Sequence, residues 1–210
     1  MPHFKTIVFD LGGVIFKLDK NQALNRFIEI GFTDAPKYLD AYEQVDFFGD
    51  LESGRITDVE FRDIISRKAG FEISMEQCRY AWTGYAGGSP VRSLEHVTEL
   101  RRMGYRVCIL SNTNPFMMQW VLSGEFDGKG HGLDHYFDAL YLSYRMKVMK
   151  PDARIFKMML ESEKANPAET IFIDDGPRNV EAAAQLGITT LLTENGSDWW
   201  LPLHQLLNKE

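Results

Sequence analysis

The stretch "TIVFDLGGVIF", residues 6–16, places an acid at the end of an apolar run and follows it with two glycines. Thr6–Asp10 reads as a strand covered on both faces, because its hydrophobicity is near-continuous rather than alternating. An ionised carboxylate in that position is costly to desolvate unless something pairs with it. Asp10 is therefore a candidate functional group, and Gly12 and Gly13 mark a tight backbone bend beside it.

Four further runs have the same character: Arg106–Leu110, Ala139–Leu142, Thr170–Asp174 and Ile188–Leu192. Helical patterns separate the later ones. Ser89-Pro90 offers an N-cap and a first-turn proline ahead of Leu94, Val97, Leu100 and Met103, with Gly104 as a stop. The alanine-rich segment Asn179–Leu186 ends at Gly187. Strands alternating with helices predict an α/β fold with a Rossmann-like parallel five-stranded sheet as its core. Residues 18–88 differ, carrying helix signals without a strand. Asp19 is placed to cap a helix through Ala23, Leu24, Phe27 and Ile28, and Thr57/Glu60 and Ser74/Gln77 both fit the capping box. A crossover between parallel strands needs far less chain than this. The expectation is an α/β core domain formed by residues 1–17 and 89–210, with an all-helical cap subdomain, residues 18–88, inserted after the first strand. Its likeliest loop is "FGDLESGR", residues 48–55.

The chain of 210 residues is 44% hydrophobic and 25% charged, with a formal net charge of −7 and no Lys/Arg run, which disfavours nucleic-acid binding. Cys78 and Cys108 match no CxxC pattern and suit a reducing cytosol. Asp10 interrupts the N-terminal apolar run, so neither a signal peptide nor a spanning helix is expected, and the reading is a cytoplasmic protein, monomer or homodimer.

Candidate chemical groups sit at or just after the carboxyl ends of the strands, where open α/β sheets bind ligands. These are Asp10, Ser111 in "CILSNTN", Lys150 in "VMKPD", and Asp174 and Asp175 in "FIDDGPRNV". If the first strand neighbours the fourth, three carboxylates converge and repel unless a cation lies among them. Oxygen ligands without His or Cys select a hard cation, for which Mg²⁺ is the usual choice. The carbonyl of Gly12 can join the ligands, and free N–H groups of the glycine turn, including that of Gly13, can meet phosphate oxygens. Ser111 can hydrogen-bond a phosphate, and Lys150 offers positive charge where negative charge develops. Together these parts suit phosphoryl transfer through an aspartyl-phosphate.

On these motifs the sequence resembles the haloacid dehalogenase-like hydrolases, mostly phosphatases, in the variant with a helical cap after the first strand. The motifs stand in order: Asp10-Leu-Gly-Gly-Val14, Ser111-Asn112-Thr113, Lys150-Pro151, and Asp174-Asp175 with Asn179 four residues on. Within that family it is most similar to bacterial sugar-phosphate phosphatases of the glucose-1-phosphate type. The resemblance implies Asp10 as nucleophile and magnesium ligand, Gly12 as a carbonyl ligand, Asp175 as the direct acidic ligand and Asp174 as a ligand directly or through water. It also implies phosphate binding by Ser111 and Asn112, pairing of Lys150 with phosphate and nucleophile, and orientation of the acidic loop by Asn179. The substrate would be a small phosphorylated metabolite.

One departure stands out. Most phosphatases of the family carry a second Asp two residues after the nucleophile as general acid and base, and here that position is Gly12. A missing general acid forfeits about 10²–10⁴-fold. A substrate with a good leaving group, or a proton lent by Asp50 or Glu52 of the cap, would answer the loss. The alternatives are a metal-independent carbon–halogen hydrolase, against which the acidic pair speaks, a phospho-acceptor signalling module, and a weakly active binding protein of the same fold. In "SYRMKVMKP", residues 143–151, Arg145 and Lys147 add positive charge that would favour an anionic substrate. His131 and His135 read as loop residues, "GKGHG" at 128–132 lacks phosphate-loop spacing, the Phe116–Trp120 aromatics read as packing, and Trp199-Trp200 as an anchor for the tail.

Overall fold

Alternating side chains of each strand enter two separate apolar layers, which is why the strands read as continuously hydrophobic. In the computed structural model, which describes residues 4–39 and 44–208, the strands are β1 (Thr6–Phe9), β2 (Arg106–Ser111), β3 (Ala139–Leu142), β4 (Thr170–Asp174) and β5 (Thr189–Leu192). They form one parallel sheet in the order β3-β2-β1-β4-β5. β1 is thus central and flanked by β4, as the convergence of the acids requires. It ends one residue earlier than the sequence suggests, although Asp10 N–H still donates to the Ile173 carbonyl at 2.8 Å.

The helices are α1 (Lys20–Glu29), α2 (Phe47–Glu52), α3 (Asp58–Ala69), α4 (Met75–Trp82), α5 (Val91–Arg102), α6 (Pro115–Val121), α7 (Ser143–Met146), α8 (Ala153–Glu163), α9 (Pro177–Ala184) and α10 (Trp200–Leu207). Ile7, Phe9, Val107, Ile109, Ile171 and Ile173 face α5, α6 and α10. Val8, Cys108, Leu110 and Phe172 face α8 and α9. Cys78 and Cys108 are both buried free thiols. Among the described residues, no helix is long and apolar enough to cross a membrane.

Asp19 caps α1 by accepting from Gln22 N–H at 2.9 Å, and both capping boxes form, on α3 and α4. The reading of Ser89 as an N-cap is corrected. α5 begins at Val91, with Pro90 as a cap residue lacking a side-chain acceptor, and the Ser89 hydroxyl accepts from Val91 N–H at 3.4 Å in the turn before it. The proline fixes the turn one residue later than expected.

Between β1 and α5 the described chain forms helices and no strand of the sheet. It leaves and returns along adjacent paths: Asp19 N–H donates to the Tyr85 carbonyl at 2.9 Å, and Gly87 N–H to the Lys17 carbonyl at 2.8 Å. Side by side, these crossings form a two-stranded neck. Beyond it, Phe27, Phe32, Phe47, Phe48, Phe61 and Trp82 pack ring against ring. Phe61 also reaches Phe116 of α6, with centroids 5.8 Å apart, so this cluster is continuous with one face of the sheet. Phe116 is accordingly a packing residue.

Phe48 is fully buried at the centre of that cluster. Truncating it leaves a cavity that rigid neighbouring rings cannot fill, so Phe48→Ala lowers unfolding free energy by about 3–5 kcal/mol, measured by urea denaturation.

Candidate active site

The loops following β1, β2, β3 and β4 meet at the carboxyl edge of the sheet. Because β1 and β4 pair in register, Phe9 opposite Ile173, the residues that follow them, Asp10 and Asp174, are neighbours. Lys150 lies between them, its Nζ 2.9 Å from Asp10 Oδ1 and 2.6 Å from Asp174 Oδ2, with its side chain 1% exposed. Asp10, Asp174 and Asp175 each present a carboxylate oxygen within 4.8 Å of the others.

Three carboxylates against one ammonium leave two formal negative charges in a site largely closed to water. Burial pushes Asp10 up to about 6, with the charge of Asp174 adding to the effect and Lys150 opposing it. Asp175 is pushed up to about 7, first by burial and then by Asp10 and Asp174. Burial works against the charge on Lys150, but the two aspartates outweigh it and hold the amine above its ordinary value.

Asp174 is fully engaged. Its Oδ1 accepts from Gly176 N–H (2.7 Å) and from Asn179 Nδ2 (2.9 Å), and its Oδ2 from Lys150. Asn179 thus meets the acidic loop at Asp174. Asp175 does not cap α9, whose N-cap Gly176 has no side-chain acceptor. Its Oδ2 is instead buried without a partner, which leaves a charged oxygen pointing at no donor and suits a cation ligand.

The structure assigns Gly13 a different part from phosphate contact. Its N–H donates to the Phe16 carbonyl at 2.8 Å, and its own carbonyl accepts from Gly196 N–H at 2.7 Å. Glycine is needed there because φ is +78°, and because a Cβ would fall 2.1 Å from Asp175 Oδ2. Asn112 also has a prior commitment. Its Nδ2 donates to the Lys150 carbonyl (2.9 Å) and its Oδ1 accepts from Lys150 N–H (2.8 Å), so the side chain clamps the lysine's backbone. Ser111 and Gly12 both line the cavity beside Asp10.

That cavity, about 680 Å³, is lined from both sides: by Asp10, Ser111, Asn114, Lys150 and Asp175 of the sheet loops, and by Glu52, Arg55, Trp82 and Tyr85 of the helical insert. Burial pushes Glu52 up to about 8, with Asp10 adding slightly and a hydrogen bond from Asn114 opposing. Lys147 does line the cavity, and its ammonium donates to the Gly54 carbonyl, tying the loop after β3 to the insert. Arg145 turns to Tyr144 instead. His131 joins a local network on Asp127, to which its Nδ1 lies at 2.9 Å, in keeping with a loop role.

Other supports carry no local motif. Ser143 Oγ donates to the Glu52 carbonyl (2.6 Å) and accepts from Thr113 N–H (3.0 Å). Asn195 bonds both the N–H and the carbonyl of Leu18, and Trp199 Nε1 donates to the Val14 carbonyl at 3.1 Å. The tryptophan indole signals an anchor, but its target on the loop after β1 is visible only in three dimensions.

A central β1 followed by an aspartate, a lysine between two aspartates and an inserted helical block match the haloacid dehalogenase-like class of hydrolases. The chain belongs to that family, whose model matches residues 4–187. It is 42% identical over 204 residues to a D-ribitol-5-phosphate phosphatase of Bacteroides thetaiotaomicron, covering 97% of this chain and 98% of that protein. Its structure resembles that of a HAD-like family hydrolase from Porphyromonas gingivalis, with TM-score 0.94, 38% identity and coverage of 99% and 100% of the two chains. A second similar structure is a wild-type HAD family enzyme of B. thetaiotaomicron in complex with magnesium and inorganic phosphate, with TM-score 0.86, 36% identity and coverage of 93% and 97%.

The upward shift of Asp175 has a defined sign. Between its ordinary value of 3.8 and about 7 the folded chain holds a proton there that the unfolded chain has lost. Stability from this group therefore falls as pH rises through that window and is lowest above it. In a chelator, thermal melts should show Asp175→Asn equal to the wild type near pH 4 and more stable at pH 8, by at least about 3 °C.

Proposed function

We propose that the protein is a Mg²⁺-dependent phosphatase of a small phosphorylated metabolite of the sugar- or polyol-phosphate class. The observation that carries this reading is the buried cluster itself, in which Lys150 pairs with Asp10 and Asp174 while Asp175 keeps an unpartnered oxygen. The relative named as a D-ribitol-5-phosphate phosphatase and the similar structure holding magnesium and phosphate support it.

The donor set fits Mg²⁺: the cluster offers only oxygen, and its residual charge is twofold negative. Asp10, Asp175 and the Gly12 carbonyl would hold the ion, with Asp174 contributing directly or through water. Bound there, it supplies charge neutralisation at the phosphoryl oxygens. The chain's own groups do the rest. Asp10 attacks the phosphorus in line and becomes the aspartyl-phosphate, and water later returns it to the carboxylate. Lys150 holds Asp10 in place and faces the charge that develops on the phosphoryl group. Ser111 donates to a phosphate oxygen. Residues 18–88 act as a cap that contributes one wall of the cavity, excludes bulk water and selects the substrate. A cavity of about 680 Å³ suits a metabolite rather than a polymer.

The acidic pair argues against a metal-independent carbon–halogen hydrolase, because a halide site has no use for two more carboxylates. Phosphate release from a panel of sugar and polyol phosphates should require Mg²⁺, cease in EDTA, and fall at least about a thousandfold in Asp10→Asn. Halide release without metal, or no phosphate from any member of the panel, would overturn the reading.

Mg²⁺ should also raise the melting temperature of the wild type by RT ln(1 + [L]/Kd) of added stability. The same titration on Asp175→Asn should show little or no rise.

A further inference from the structure

Gly12 leaves the sheet loops without an acid beside the departing oxygen. The space next to it is occupied by Leu18, whose Cδ2 would lie 2.8 Å from a Cβ at residue 12. Of the two acids on α2, Asp50 is partly exposed and bound to Arg55 at 2.6 Å, and it does not line the cavity. Glu52 does line it, together with Asp10, and is only 8% exposed.

Its main chain is tied to the sheet domain. The Glu52 carbonyl accepts from Ser143 Oγ at 2.6 Å, which holds the end of α2 against the sheet domain. Asn114, whose Oδ1 accepts from Met117 N–H at 3.1 Å, lines the same cavity. A loop–helix contact thus holds Glu52 in the wall of the cavity that contains Asp10.

Resting on the phosphatase reading above, we propose that Glu52 is the catalytic acid and base of this site, supplied by the insert in place of the acid that Gly12 lacks. As Asp10 attacks and the bond from phosphorus to the alcohol oxygen breaks, that oxygen takes the electron pair and receives the Glu52 proton, leaving as the free alcohol. Glu52, now a carboxylate, then accepts a proton from the water whose oxygen attacks the aspartyl-phosphate. The bond from phosphorus to Asp10 breaks, and Asp10 and Glu52 return to their starting states with release of inorganic phosphate. The enclosure that pushes the Glu52 carboxyl upward keeps it protonated for the first of these steps.

The test compares leaving groups in Glu52→Gln. D-ribitol 5-phosphate needs a proton on its departing oxygen, whereas 4-nitrophenyl phosphate releases a stable phenolate. Turnover of the polyol phosphate should fall at least about 100-fold. In rapid mixing, 4-nitrophenyl phosphate should still give a burst of one nitrophenolate per site, within about threefold of the wild-type rate, followed by slow turnover as aspartyl-phosphate accumulates. The retained burst also reports that the variant is folded and its nucleophile intact. A burst slowed as much as polyol-phosphate turnover, or wild-type rates on both substrates, would overturn the assignment. A burst that survives Asp10→Asn would instead overturn the phosphatase reading on which it rests.

Discussion

A single ammonium group, that of Lys150, makes the rest of this arrangement possible. Asp10 and Asp174 end neighbouring strands and cannot move apart without breaking the register of the sheet. Held together in a buried place, they would repel, and Lys150 between them converts that repulsion into a network of charge-assisted hydrogen bonds. Removing one partner from such a network leaves uncompensated buried charge, typically about 3–5 kcal/mol of destabilisation. The lysine compensates one of the three negative charges, so the site is built short of cation, and Asp175 is where the shortfall is concentrated. Asn112 makes this reproducible by clamping the lysine's main chain, so that the ammonium arrives at one position.

The insert and the sheet divide the work differently. The sheet edge contributes charge held rigidly by strand register, and the insert contributes a wall of mixed character, with Trp82 and Tyr85 beside Glu52 and Arg55. Contacts between the two are few and polar at the cavity rim: Ser143 to the Glu52 carbonyl and Lys147 to the Gly54 carbonyl. Gly54 is required at the second of these, since a Cβ there would fall 2.1 Å from the Tyr144 carbonyl. These contacts fix where the insert's side chains stand relative to Asp10.

Much of this was legible before any coordinates, and for identifiable reasons. Strand and helix type depend on local apolar patterning and caps, so β3 and β4 fall where the sequence places them and both capping boxes form. The acids and Lys150 were legible because they sit at strand ends, whose position the same patterning reveals. Local reading is silent where a residue's partner is distant in the chain. Gly13 looked like a phosphate-binding turn, but its carbonyl and N–H are spent on Gly196 and Phe16, and its missing side chain makes room for Asp175. Asn112 looked like a phosphate ligand, and its side chain binds a backbone segment 38 positions away. The choice between Asp50 and Glu52 depended on which face of α2 meets the cavity, which their spacing of two residues could not settle.

The contacts of residues 195–199 with the loop around Asp10 tie it to a distant part of the chain. Gly196 bonds Gly13, Asn195 brackets Leu18, and Trp199 reaches the Val14 carbonyl and packs, tilted, against Phe9. All three braces come from chain that follows β5, the last strand of the sheet. The position of the Asp10 loop is therefore set by chain that forms no part of the sheet, the same segment whose Trp199 and Leu203 cover the sheet face at Phe9.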